Sequence, residues 1–213
     1  MAPSSITTSL ATEEDAPRLA YVMTVAFAAT DTSYPLVWGS AAEGTHEKVA
    51  QIGLFSPVQK EGRVTIKAVD ANEKLVGFAT WGLPKDEVPT KKEKEGLPPI
   101  PGVRVDLWEE KGNWATDPVE RDVDPSKDMN LMFCFVDPEY HRRGIGSLLL
   151  QWGTKKADEL NAKIWLSSTP QAVSAYEKNG WKVIETHDVM LENYGGEGVY
   201  RRAWMLREPA TGP

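Results

Sequence analysis

The stretch Val136-Asp137-Pro138-Glu139-Tyr140-His141-Arg142-Arg143-Gly144-Ile145-Gly146-Ser147 joins two segments of different character, and its reading decides the fold. Upstream, Leu131 to Val136 is an apolar run ended by an Asp-Pro turn, the pattern of a buried strand. Downstream, Leu148, Leu149, Trp152, Lys156 and Leu160 recur at helical spacing. The junction is therefore strand, tight loop, helix N-terminus. Such a junction aims several backbone N–H groups and the positive end of the helix dipole at one spot, which suits a phosphate. Gly144 and Gly146 let the backbone approach a ligand closely, and Arg142 and Arg143 add fixed positive charge. The segment reads as an anion cradle, most simply for a pyrophosphate.

Two familiar phosphate loops fail against it. A Walker A loop ends in Gly-Lys-Ser/Thr, which is absent here, and a Rossmann fingerprint needs a small residue where Leu149 stands. The segment resembles motif A of the GNAT superfamily of N-acetyltransferases, Gln/Arg-x-x-Gly-x-Gly/Ala, written here as His141-Arg142-Arg143-Gly144-Ile145-Gly146 after a Val-Asp-Pro-Glu-Tyr lead-in. His141 departs from the usual Gln or Arg. A second segment resembles the family's Asn-x-x-Ala-x-x-x-Tyr-x-x-x-Gly-Phe through Thr169, Ala172, Tyr176, Gly180 and Trp181, with Thr169 in place of Asn. Read locally, this segment is a strand over Lys163–Ser167, a helix start at Thr169-Pro170, a helix over Gln171–Lys178, a stop at Asn179-Gly180 and a strand from Trp181. The resemblance is detailed over about residues 129–187 and looser toward the N-terminus.

The resemblance implies an α/β (α+β) GNAT fold, with a mixed central sheet flanked by helices and a splay beside the central strand where a thioester enters. It implies acetyl-CoA as donor substrate, held by His141, Arg142, Arg143, Gly144, Ile145, Gly146 and Ser147, with Thr169 toward the pantetheine arm. A backbone amide at Val136 or its neighbour Phe135 then polarises the thioester carbonyl, and Tyr176 meets the departing thiolate. No metal is called for. A phenol near pKa 10 is a weaker acid than a thiol near 8.5 by about 2 kcal/mol, so Tyr176 serves as a hydrogen-bond donor more readily than as a full acid. A base is wanted too, since a lysine-like ammonium is neutral in only about one molecule in 2500 at pH 7. The candidates by position are Glu109, Glu110 and His46, and none is singled out. The acceptor is read as a small-molecule amine. A protein N-terminus or lysine is the alternative within the class, and a non-catalytic coenzyme A binding module the alternative outside it.

Composition bounds these readings. The 213 residues suffice for one domain with a substantial core, and the formal charge of −7 argues against nucleic acid as the main partner. No apolar run approaches bilayer length, and the first residues lack a signal peptide's basic and apolar regions, so no membrane partner is expected. The single cysteine, Cys134, allows no internal disulfide, which points to a reducing cytoplasmic or nuclear setting, and its place in an apolar run marks it as a core residue rather than a nucleophile. Eight tryptophans suit an interface as well as a core, so oligomeric state stays open.

Along the chain the order is that of a single domain, residues 1–213. Ile6–Leu10 reads as a strand. Thr12 to Asp15 and Pro17 open a helix with Leu19, Val22 and Ala26 inward, and a second helix lies around His46–Leu54. Arg63–Val69 and Leu75–Trp81 form a hairpin, and Val183–Met190 with Val199–Leu206 form a closing strand pair. Residues 85–128 are an insertion between the third and fourth strands, rich in proline yet carrying Trp108 and Trp114, with a short helix over Val105–Lys111. It is either a surface excursion or a lid over the acceptor site. Its acidic run, Asp117, Glu120, Asp122, Asp124 and Asp128, is a candidate for attracting a cationic acceptor. Residues 209–213 read as a frayed tail.

Overall fold

The computed structural model describes residues 6–85, 98–113 and 121–210. The strands are β1 (Thr7–Leu10), β2 (Arg63–Val69), β3 (Leu75–Gly82), β4 (Met129–Val136), β5 (Ile164–Ser168), β6 (Lys182–Met190) and β7 (Val199–Arg207). They make one mixed sheet in the order β1-β2-β3-β4-β5-β7-β6, in which only β4 and β5 run parallel. The helices are α1 (Ala16–Thr30), α2 (Tyr34–Trp38), α3 (Thr45–Leu54), α4 (Val105–Asn113), α5 (Ile145–Leu160) and α6 (Val173–Glu177).

The layers follow from the period-two alternation along β3. Ala79 and Trp81 point into a core shared with Leu149 and Leu150 of α5, while Phe78 faces Leu19 and Met23 of α1 and Phe55 after α3. β3 is buried on both faces, so it reads as a nearly continuous apolar run, with Thr80 as its polar member, paired to Thr65. Gly153 explains how α5 sits so close: a Cβ there would lie 2.3 Å from the Trp81 ring. Helix α1 starts as its sequence requires. The Asp15 carboxylate accepts from the Thr12 N–H at 2.7 Å, Pro17 stands in the first turn, and Leu19, Val22 and Ala26 are buried.

Several boundaries differ from the sequence reading for local reasons. The segment after Thr169 begins as a 3-10 turn, Pro170–Ala172, before the single turn of α6, so the expected eight-residue helix is split. Helix α2 was not anticipated, because Tyr34-Pro35-Leu36-Val37-Trp38 is too short to show a period. The helix of the insertion extends to Asn113, and Leu107 within it is fully buried against Val37, Val189, Leu191 and Tyr200. The expectations on Asp117, Glu120 and Trp114 lie outside the described residues.

Candidate active site

Strands β4 and β5 pair only at Met129↔Ile164 and Asn130↔Trp165, and from Leu131 onward β4 has no partner on that side. The sheet therefore opens between them. The Asp137 N–H donates to Val76 O at 2.8 Å, which makes Gly77 and Val136 a non-hydrogen-bonded pair of the antiparallel ladder. By the alternation of the strand, the Phe135 amide is turned toward β3, and the Val136 N–H and C=O face the opening. His141, otherwise exposed, places Nε2 2.9 Å from Val136 O.

At the end of β4 the lead-in ties three elements together. Buried Asp137 pairs with Arg18 of α1 at 2.7 Å and accepts from the Glu139 N–H, while the Tyr140 hydroxyl donates to Asp70 in the β2–β3 turn at 2.8 Å. The loop then turns through Arg142 and Gly144, both at positive φ (60° and 78°), into α5. Backbone N–H groups from Arg142 to Ser147 have no acceptor among the described residues; the next, Leu148, donates to Gly144 O. A Cβ at Gly144 or Gly146 would meet nothing within 4 Å, so the approach to these amides is open. Unspent donors at a helix N-terminus, reachable from solvent, fit a pyrophosphate. Arg143 is held over Tyr140 and donates to Glu139 O at 2.9 Å, whereas Arg142 is exposed.

Across the opening, Tyr176 of α6 packs edge-on to Trp181. Its hydroxyl has no hydrogen-bond partner among the described residues, and burial, reinforced by Cys134 and opposed by Arg202, raises its pKa. Burial likewise pushes the Cys134 thiol up to about 12, so it stays protonated. Asn179 after α6 reaches Ser147 Oγ at 3.3 Å and joins the two motif helices.

A cavity of about 110 Å³ lies at the C-terminal end of β5, walled by Phe27, Tyr34, Trp38, His46 and Trp108 and floored by Asp31, Lys111, Thr169 and Arg202. Phe27 connects it to β4, its ring 4.8 Å from that of Phe135. Thr169 thus belongs to the cavity lining, beside the opening; its hydroxyl does not cap the following turn. His46 stacks on Trp38 at 4.3 Å, and its Nδ1 meets the hydroxyls of Thr24 (3.1 Å) and Tyr34 (3.3 Å). Burial, aided by Lys111, lowers its pKa to about 4, so the ring is neutral at physiological pH. Of the three base candidates, only His46 lines the cavity; Glu110 sits 3.7 Å from His187.

The floor holds a polar network that the sequence reading did not find. Asp31, 3 % exposed, accepts from the Ser33 N–H (2.8 Å), Ser33 Oγ (2.5 Å), Tyr200 Oη (2.5 Å) and Lys111 Nζ (3.4 Å). Lys111 also bonds Ser33 Oγ and lies over the Tyr200 ring, and burial lowers its pKa despite Asp31. Arg202 donates to Ser168 O, Ser167 O and Ser167 Oγ. Among the described members of the acidic run, Asp122 pairs with Lys163, Asp124 with Lys127, and Asp128 accepts from the Lys163 and Asp124 amides. Among the described residues no helix is long and apolar enough to cross a membrane, and no group of His, Cys, Asp or Glu is placed to hold a metal ion.

Residues 124–191 match the family model described as an acetyltransferase (GNAT) domain. No curated protein matches the chain in sequence. Similar solved structures include the histone acetyltransferase HPA2 and related acetyltransferase from Corynebacterium glutamicum (19 % identity, 98 % of each chain, TM-score 0.60). The PaiA N-acetyltransferase from Thermoplasma acidophilum, in complex with coenzyme A, is 18 % identical over 96 % of this chain and 99 % of that one (TM-score 0.56). The ribosomal-protein-S18-alanine N-acetyltransferase from Escherichia coli is 15 % identical over 98 % and 97 % (TM-score 0.56). At these identities the likeness is one of fold.

Proposed function

We propose that this chain, whose residues 124–191 match a GNAT acetyltransferase domain model, is an acetyl-CoA-dependent N-acetyltransferase with a small-molecule amine as acceptor. The observation that carries the proposal is the aromatic-walled cavity of about 110 Å³ beside the opening of the sheet. Enclosure by Phe27, Tyr34, Trp38, His46 and Trp108 suits a compact apolar or aromatic group better than an extended polypeptide, which needs a groove open at both ends. Trp108 and Lys111 come from the insertion over residues 85–128, which on this reading is a wall of the acceptor site.

The residues take the following roles. The Arg142–Ser147 amides hold the pyrophosphate of the donor, and the pantetheine arm runs into the opening beside β4. The Val136 N–H, which faces that opening, donates to the thioester oxygen as charge builds on it. Phe135, whose amide is turned to β3, packs its ring against Phe27 of the wall. The amine lone pair attacks the carbonyl carbon, an N–C bond forms, and the C–S bond breaks with its electrons leaving on sulfur. Tyr176, kept protonated by burial, donates a hydrogen bond to that thiolate. An acceptor that enters as an ammonium releases one proton before attack and a second from the tetrahedral nitrogen; one ends on the coenzyme A thiol and one in solvent. His46 is the only neutral base in the cavity lining. Its low pKa suits it to the second, more acidic proton rather than to a free alkylammonium.

The test is release of coenzyme A thiol from acetyl-CoA with aryl amines, polyamines, amino acids, aminoglycosides and short peptides. Turnover of small amines supports the reading. Turnover confined to peptides transfers the assignment to a protein acceptor, and acetyl-CoA binding without turnover favours a binding module.

A further inference from the structure

The charges on the cavity floor do not balance. Its charged lining residues are Asp31, Lys111 and Arg202, because His46 is held neutral. Asp31 is already committed to Ser33, Tyr200 and Lys111. Arg202 is within electrostatic range of that carboxylate but forms no ion pair among the described residues, and its hydrogen bonds all go to the neutral oxygens of Ser167 and Ser168. The other nearby carboxylate, Glu47, acts on Tyr34 and is not in the lining. A half-buried guanidinium facing a cavity without an anion of its own is better balanced once an anion arrives with a ligand. Burial is the leading influence on this group, depressing its pKa from the usual arginine range.

From this imbalance, and building on the small-amine reading above, we infer that the acceptor carries a carboxylate or an equivalent oxyanion, which Arg202 binds. The acceptor is then an amino-acid-like amine with an apolar or aromatic body. The carboxylate completes the floor with Arg202, the body lies among Phe27, Trp38, His46 and Trp108, and the amine is left to meet the thioester at the opening by Phe135 and Val136. Guanidinium and carboxylate are matched in shape, and a charge-assisted pair outranks the neutral contacts Arg202 makes now. The same surplus of positive charge disfavours acceptors whose only charges are ammonium groups, such as polyamines.

Matched acceptors test this on the unmodified enzyme: tryptophan against tryptophanamide, phenylalanine against phenylalaninamide, and 4-aminobenzoate against aniline, read as kcat/KM for thiol release. At least about a tenfold preference for the carboxylate member is expected in the pairs that turn over, from the usual strength of a hydrogen bond to a charged group. Arg202→Gln brings the ratio close to one through acceptor KM, and Arg202→Lys restores part of it. Three results overturn the inference: equal or better use of the neutral members, a ratio that survives in folded Arg202→Gln, or an equal kcat loss on both members, which assigns Arg202 to the thiolate instead. Efficient use of neutral small amines overturns only this inference. Use of peptides alone removes the small-amine reading as well.

Discussion

Asp31→Asn tests the floor of the aromatic-walled cavity without relying on turnover. The carboxylate is fully buried, its side chain 0 % exposed, and the Lys111 side chain that it neutralises is 11 % exposed. Removing the negative charge leaves an ammonium in a poorly solvated place with Arg202 nearby and nothing to balance either. Breaking a buried pair from one side costs about 3–5 kcal/mol. The 3.4 Å separation of Lys111 and Asp31 is long for an ion pair, and asparagine retains one acceptor for Tyr200 or Ser33, so the lower end, about 3 kcal/mol, is expected. For a chain of this length, that lowers Tm by roughly 6–12 °C. Urea unfolding followed by tryptophan fluorescence measures the loss directly. Adding Lys111→Met removes the stranded cation and should recover at least about 1 kcal/mol, since replacing both members of a buried pair is far cheaper than removing one. An Asp31→Asn variant within about 0.5 kcal/mol of the parent, the range of an ordinary surface change, would refute the reasoning. So would a double variant no more stable than the single one.

Further outcomes follow from the same geometry. Tyr176→Phe should lower kcat on the order of a hundredfold while leaving acetyl-CoA affinity in place, and unchanged turnover in single-turnover assays removes the tyrosine from the mechanism. Gly146→Asp meets no steric obstacle and puts an acidic group at a helix N-terminus, so Tm should hold or rise; acetyl-CoA Kd by calorimetry should nevertheless weaken at least about tenfold through repulsion of the pyrophosphate. His46 has its pKa lowered from 6.5 to about 4, so the unfolded chain binds the proton more readily between those values. The stabilisation is complete above pH 6.5 and is lost as pH falls toward 4, so the urea midpoint should drop across that window and His46→Gln should flatten the slope. Identical slopes in both proteins contradict the assignment.

The parts of this molecule legible in the sequence are those written by neighbours in the chain. The β2–β3 hairpin, the start of α1 at Thr12-x-x-Asp15 and the turn from β4 into α5 each depend on residues a few positions apart. The open run of backbone donors at this turn could be read because glycines at a strand-to-helix junction serve a backbone function. The choice between Phe135 and Val136 could not be read, since it depends on the phase of the ladder with β3, fixed by Asp137 and Val76. The cavity floor had no local signature. Asp31, Lys111 and Tyr200 belong to α1's end, the insertion and β7, and no spacing rule links positions so far apart. Charge counting in sequence pointed instead to the run near Asp122–Asp128, whose carboxylates are engaged by Lys163, Lys127 and backbone amides.

Calorimetric titration of the unmodified chain with acetyl-CoA, set beside S-acetylpantetheine, tests the central claim most directly. The two donors share the thioester and the arm proposed to enter between β4 and β5, and only acetyl-CoA carries the pyrophosphate assigned to the Arg142–Ser147 amides. Saturable acetyl-CoA binding, with S-acetylpantetheine weaker by at least about a hundredfold, is the result predicted for several charge-assisted backbone hydrogen bonds. Equal affinities, or no binding of acetyl-CoA, would contradict the account.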